Sequence, residues 1–407
     1  MTKLNGRPGA CAALLFCAVT AIAVSAQTFT TVLRFDNSND GSNPNLLMQG
    51  LDGNLYGATQ GGAVGAGTLI EVTTDGTVVK FLTFKNSNGN GPVGLLQLSN
   101  GTFIGTTSSG GANTAGTIFK VTRSGLQTIY SFCPPSQCTG GSVPQAGLIQ
   151  APNGNFFGTT CDGGLTNHGT LFQLTFAGTL TVLHNFNGAG DGICPTALVL
   201  SPDGNLYGTA HAGGMNNAGT FFKYGAGGAV AALYSFSDPE PGSLMQGSDG
   251  DFYGVTWLGG TNGLGTVFKL TAAGAHTTLY NFCSTGGTSC TDGEIPQGGV
   301  IQATDGNLYG TTSEGGAAGG YGTIFSLTPG GTLTTLHSFD NTDGSVPLTL
   351  IQASNGTFYG IAQNGGSTNC IYGCGTIFSL SMGLAPATKE NANFGKVGGQ
   401  AAVRGAD

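Results

Sequence analysis

Apolar residues come in bursts of four to seven along this chain, and glycine-bearing polar segments separate them. Between Ser201 and Phe236, Asn205-Leu206-Tyr207-Gly208-Thr209 reads as one strand and Gly219-Thr220-Phe221-Phe222-Lys223-Tyr224 as a second. Val230 to Phe236 reads as a third, and Ala197-Leu198-Val199-Leu200, turned back by Pro202-Asp203-Gly204, as a fourth. An Asp-Gly or Asn-Gly step between apolar runs is a strong hairpin signal, because glycine tolerates positive φ at the turn. Leu206 and Tyr207 are neighbours and so point to opposite faces of a pleated strand; both are large, so the sheet must be covered on both sides.

The phrase around Gly208 recurs seven times, ending on Gly57, Gly105, Gly158, Gly208, Gly254, Gly310 and Gly360 at intervals of 48, 53, 50, 46, 56 and 50 residues. A fixed period of this size marks copies of one supersecondary unit. Four-stranded antiparallel units that bury both faces are met by an all-β, seven-bladed β-propeller, whose blades stack around an axis. A parallel β-helix has much shorter coils and needs no hairpin in every unit. The last copy stops after Gly375–Leu380 without an outer strand, while Thr30 to Phe35 lies over Thr334 to Phe339 when counted back from the shared phenylalanine. The N-terminal strand is therefore expected to complete the last blade and close the ring, with Val32 and Phe35 each contributing about 1.5–3 kcal/mol of burial. Closure also removes two open sheet edges.

The 407-residue chain contains 75 glycines and only 8% charged residues, yet 39% of it is hydrophobic, so the glycines punctuate strands rather than mark disorder. The repeats occupy 28–381 as one domain. Residues 1–26 read as a secretory signal: Lys3 and Arg7, an apolar stretch from Ala10 to Val24, then Val24-Ser25-Ala26 as the cleavage site. The mature chain is expected to carry no membrane span. It has 10 Lys and Arg against 20 Asp and Glu, a net charge of −10, after Lys3 and Arg7 leave the total of 12. With no basic stripe, nucleic acid is a poor partner. Eight cysteines remain, an even number that fits an oxidising compartment. The expected pairs are Cys133 with Cys138, Cys283 with Cys290, Cys370 with Cys374, and Cys161 with Cys194.

The frame Tyr-Gly-Thr-Thr, two residues, Gly-Gly, then Gly-Thr-Ile-Phe resembles the GloVer repeat, the Gloeobacter/Verrucomicrobia tandem repeat of exported bacterial proteins. Good copies stand at Tyr309 to Leu327 and Phe157 to Leu174. The resemblance implies export and variable C-terminal anchoring, and brings no catalytic residues. Residues 382–407 read as a disordered tail; Asn393 to Gly398 loosely resembles the opening of an IPT, immunoglobulin-like domain and is taken as its remnant.

A search for chemistry returns little. There is no Gly-x-Ser-x-Gly frame, no Cys-x-x-Cys and no phosphate-binding loop. The five histidines fall at different places in different repeats. Asp203, Asp249 and Asp305 are turn residues, replaced by Asn100, Asn153 and Asn355 in sister copies, which general acid chemistry would not tolerate. Asp36 to Gly41 has the oxygen rhythm of a calcium loop, but Leu47 stands where the bidentate Glu belongs. No cofactor and no metal are expected.

Variation inside the frame is more informative. After the second strand stand Gln60, Ser108, Cys161, His211, Trp257, Ser313 and Gln363, which a propeller would place around its central opening. With Asp162, Glu314, Tyr321 and Tyr372 they are the candidate ligand-binding residues, and all four disulfides are expected on the same face. Variable loops on a rigid scaffold are where function usually resides. The expectation is a secreted, monomeric, non-catalytic module that binds or scaffolds carbohydrate or an envelope or extracellular protein. The alternatives are a polysaccharide-active hydrolase or lyase using loop-face acids, and a purely structural surface protein.

Overall fold

A computed structural model of the chain describes residues 27–387, apart from 38–39, 62–64, 123, 135–137, 226 and 285–289, and only the backbone of 80–81. The signal segment 1–26 and the tail beyond 387 lie outside the described residues. Seven four-stranded antiparallel sheets form blades I to VII at 42–83, 90–131, 149–185, 193–235, 241–281, 300–338 and 345–381. Strands run from inner to outer edge in chain order. Blade VII takes its outer strand, Thr28–Arg34, from the N-terminus, paired with Thr376–Ser381 from Thr28 opposite Ser381 to Arg34 opposite Thr376. The ring is thus a closed propeller.

The repeated frame dictates the packing. In six blades its Tyr-Gly or Phe-Gly or Ile-Gly step faces a phenylalanine of the third strand, and a Cβ at Gly158, Gly208 or Gly360 would meet Phe172, Phe222 or Phe378 Cζ at 2.5, 2.4 and 2.3 Å. These frame glycines are therefore not turn residues; they sit mid-strand because a ring lies across them. A second phenylalanine follows each outer strand, namely Phe35, Phe84, Phe132, Phe186, Phe236, Phe282 and Phe339, and all seven are essentially fully buried. Each donates its backbone N–H, at 3.0–3.1 Å, to the glycine that opens the third strand of its blade.

Neighbouring blades are laced at both ends. On one side the opening glycines, at φ 94–103°, lie against a proline of the next inner strand: a Cβ at Gly67, Gly219 or Gly375 would come within 2.8, 2.6 and 2.4 Å of Pro92, Pro241 and Pro44. At mid-depth Thr159, Thr209 and Thr311 donate their hydroxyls to inner-strand carbonyls of the following blade, and Thr106 to Ala146 O just before the inner strand of blade III, at 3.0–3.3 Å. At the other side Gln97, Gln302 and Gln352 accept from backbone N–H groups of the preceding blade. The join between blades VII and I uses the same parts: Gly375 against Pro44, Asn43 N donating to Cys374 O (3.0 Å), and Ser354 N to Gln49 Oε1 (2.8 Å). Beyond the last strand, Met382 and Leu384 pack on blades VI and VII and Thr304 Oγ1 donates to Ala385 O, so 382–387 is held against the propeller.

Candidate binding face

Two unlike faces follow from this topology. Tight hairpins such as 50–54 and 73–77 fill one, the turn face. Loops between second and third strands, together with the blade-to-blade connections, fill the other, the loop face. The loop face is anchored by an unusual backbone device: the residue before each of seven prolines in or leading into an inner strand is left-handed, at Asn43, Gly91, Val143, Cys194, Glu240, Ile295 and Val346 with φ between 54 and 65°. Only glycine and asparagine adopt this region readily. At Asn43, Gly91, Val143, Cys194, Ile295 and Val346 the bend turns the backbone N–H outward to the preceding blade, as in Val143 N to Ala115 O and Ile295 N to Leu264 O, both 2.9 Å.

All four expected disulfides form on this face. Cys161–Cys194 joins blade III to blade IV; the other three close short loops.

The candidate residues separate into groups. His211 and Trp257 meet edge to face, with ring centroids 5.8 Å apart. Trp257 packs against the Met245, Tyr253 and Val255 cluster, and its Nε1 is buried without a hydrogen-bond partner, close to Gly242. It is wedged between blades rather than presented as a flat platform. Ser313 is buried and donates to Ile295 O (2.9 Å), while Gln60 is exposed and Gln363 half-buried. Asp162 and Glu314 are exposed, and their backbones bridge to Ser142 and Glu294. Burial raises the Glu294 carboxyl above its ordinary range, and the charges of Glu314 and Asp292 push the same way.

Tyr321 and Tyr372 belong together. They lie on a cleft of about 540 Å³ between blades VI and VII, walled also by Asn341, Thr342, Ser345, Asn364, Ser367 and Thr368. Tyr372 is 77% exposed, Tyr321 37%, and Ile371 on the same loop 94%. The Cys370–Cys374 disulfide ties down the loop that carries Ile371 and Tyr372. Asn364 Oδ1 accepts from Asn43 Nδ2 at 3.0 Å, and Arg34 Nε donates to Thr342 O at 3.4 Å, so residues of the ring-closing join brace the cleft. Among the described residues, no carboxylate or cationic side chain lines it. Hydroxyls, amides and exposed aromatic rings are what a neutral, hydroxyl-rich ligand needs.

The sequence reading found both tyrosines but missed the polar wall. One signal pointed to it. From the second glycine of the Gly-Gly step to the glycine opening the third strand is 5 residues in blade IV (214 to 219), but 6 in blade VI (316 to 322) and 9 in blade VII (366 to 375). The two longest loops flank the cleft.

Among the described residues no group of three His, Cys, Asp or Glu side chains is arranged to hold a metal, and no helix is long and apolar enough to cross a membrane. Asp36 N donates to the Asp40 carboxylate, closing a turn whose residues 38 and 39 lie outside the described set.

The Gloeobacter/Verrucomicrobia repeat model matches residues 17–192, 124–290 and 288–405, which together cover nearly the whole chain. The chain belongs to the Gloeobacter/Verrucomicrobia repeat family. No curated protein matches this repeat protein. Among solved structures, the Gloeobacter/Verrucomicrobia repeat protein is similar to the extracellular domain of a putative one component system from B. thetaiotaomicron, with TM-score 0.54 and 12% identity over 88% of this chain and 42% of that one. It is similar also to a puromycin hydrolase, with TM-score 0.54 and 14% identity over 80% and 50% of the two chains. A third is a puromycin-hydrolyzing peptidase of Mycobacterium tuberculosis, with TM-score 0.54 and 11% identity over 82% and 53%. The repeat protein spans about half or less of those chains, and at such identities the likeness is one of fold alone.

Proposed function

We propose that this repeat protein is an exported, non-catalytic binding module whose loop face takes a neutral carbohydrate in the cleft between blades VI and VII. The observation that carries the reading is the cleft itself: exposed Tyr321 and Tyr372 over a wall of Asn, Ser and Thr, with no ionised side chain among the described lining residues. Sugar rings present apolar C–H faces to aromatic rings and hydroxyls to amide and hydroxyl partners, so both halves of the surface have a use. Four disulfides suit an oxidising, exported setting, where they persist. Screening on an array of neutral and anionic glycans tests the reading. Binding is expected among neutral glycans, lost in Tyr372→Ala and kept in Trp257→Ala. Loss only in Trp257→Ala would move the site to the ring around the axis, and no glycan binding would leave a protein partner or a structural role.

One observation favours an enzyme instead. Glu294 is a loop-face acid whose carboxyl is raised by burial and by the charges of Glu314 and Asp292, the direction a general acid requires. Release of sugar from polysaccharide, abolished by Glu294→Gln, would support that reading.

A further inference from the structure

The turn face carries a second site of different chemistry. A groove of about 820 Å³ lies between blades I and II, on the side of the molecule away from the loop-face cleft. Its walls are Leu69, Leu82, Leu95 and Val121, with the rings of Tyr56 and Phe103 meeting at 4.5 Å. At its mouth stand Asp52 and Glu71. Tyr56 donates its hydroxyl to Asp52 Oδ2 (2.7 Å), and Asn54 Nδ2 donates to Glu71 Oε1 (2.9 Å).

Sister blades show what this corner holds when it is filled from within. In blade V the residue paired with Tyr253 is Lys269, whose Nζ lies 2.9 Å from Asp249 Oδ2, 2.7 Å from Asp251 Oδ2 and 5.4 Å from the centre of the tyrosine ring. In blade IV Lys223 pairs with Tyr207 and stands 5.3 Å over its ring. In blade I the strand partner of Tyr56 is Glu71, so the tyrosine and the turn aspartate are kept while the third strand's ammonium is exchanged for a second carboxylate. A cation above an aromatic face and beside a carboxylate is held by both.

From this we infer that the groove between blades I and II is a binding site for a lysine side chain of a polypeptide partner, its ammonium between Asp52 and Glu71 and its alkyl stem along Tyr56, Phe103 and Leu95. The chain's net charge of −8 favours the approach of such a partner. Lys80, across from Glu71 on the outer strand, is the residue of the chain itself that the test has to control for.

The test uses Nα-acetyl-lysine-N-methylamide and its norleucine counterpart, which keeps the stem and loses the ammonium. Saturation-transfer NMR on the purified chain is expected to show the lysine amide binding roughly tenfold tighter or more, the size of one charge-assisted contact. Glu71→Lys rebuilds the blade V arrangement and is expected to abolish that binding, while thermal unfolding is unchanged or raised. Equal binding of the two amides, binding that survives Glu71→Lys, or binding that appears only in Lys80→Ala would each overturn the inference. Glycan binding at the other face is independent of all these outcomes.

Discussion

Val143 shows how single residues bear the cost of the ring's geometry. It is β-branched, left-handed at φ 55°, and sits before Pro144, whose preceding residue normally prefers extended backbone. Blade I uses Asn43 in the same role, and blade II Gly91. Val143→Asn is therefore expected to stabilise the protein by about 1 kcal/mol, seen as a Tm higher by a degree or two; an unchanged or lower Tm would deny the strain. Asp40 is a second case. Asp191 and Asp343 hold comparable connections, hydrogen-bonded to His184 and His337 at 2.7 Å, whereas strand register places Leu33 where His337 stands. Burial, together with the Asp36 carboxyl, pushes Asp40 up to about 6 against the help of the Asp36 N–H. A carboxyl raised in the folded state favours folding when protonated. Its contribution is present at low pH and is lost as pH rises from about 4 through about 6. Asp40→Asn should raise stability at pH 7 by roughly 1–3 kcal/mol and leave it nearly unchanged at pH 4; urea titrations at the two pH values measure this.

At the level of elements, the strands and turns were legible from sequence because burial on both faces, Asp-Gly hairpins and a fixed frame all pointed to one unit. The closing register of Thr28–Arg34 was legible for the same reason, since Phe35 matches Phe339. Mid-strand glycines were not. Their role depends on a phenylalanine reaching from the third strand, which only the sheet register reveals. The disulfides were readable by spacing, and their unlike roles give a prediction. Cys161–Cys194 encloses 33 residues and ties two blades, so Cys161→Ser with Cys194→Ser should cost about 3–4 kcal/mol in the loop-entropy model. Cys370–Cys374 spans 4 residues, so its removal should cost about 2 kcal/mol or less while weakening glycan binding, because Tyr372 sits on the loop it closes. Thermal unfolding and binding measured on both pairs of variants separate stability from presentation. Deleting residues 28–34 should be far more damaging: Thr376–Ser381 becomes an open edge, and size-exclusion chromatography should find larger, aggregated species than for the intact chain.

For the whole molecule, the seven copies make a frame, and its departures from repetition mark both proposed sites. The loop-face cleft lies where the two longest loops between second and third strands meet; the turn-face groove lies where Glu71 stands in place of the lysine of blades IV and V. Neither place could be located from one sequence without the blade order, because each is built by residues of two adjacent blades. The candidate set included both tyrosines but put Trp257, not them, around the axis, where its indole packs on the Met245, Tyr253 and Val255 cluster and meets His211 edge to face. Overall charge then sharpens the functional test. An acidic chain would attract cationic ligands and repel anionic ones with a strong dependence on salt, whereas a neutral sugar in an uncharged cleft feels neither. Calorimetric titration of the best array ligand into the wild type and Tyr372→Ala, at about 0.05 and about 0.5 M NaCl, is the most direct measurement. The expected result is the same affinity at both salt concentrations and a loss of roughly tenfold or more in the variant. An affinity that changes strongly with salt, or that Tyr372→Ala leaves intact, would contradict a neutral glycan site between blades VI and VII.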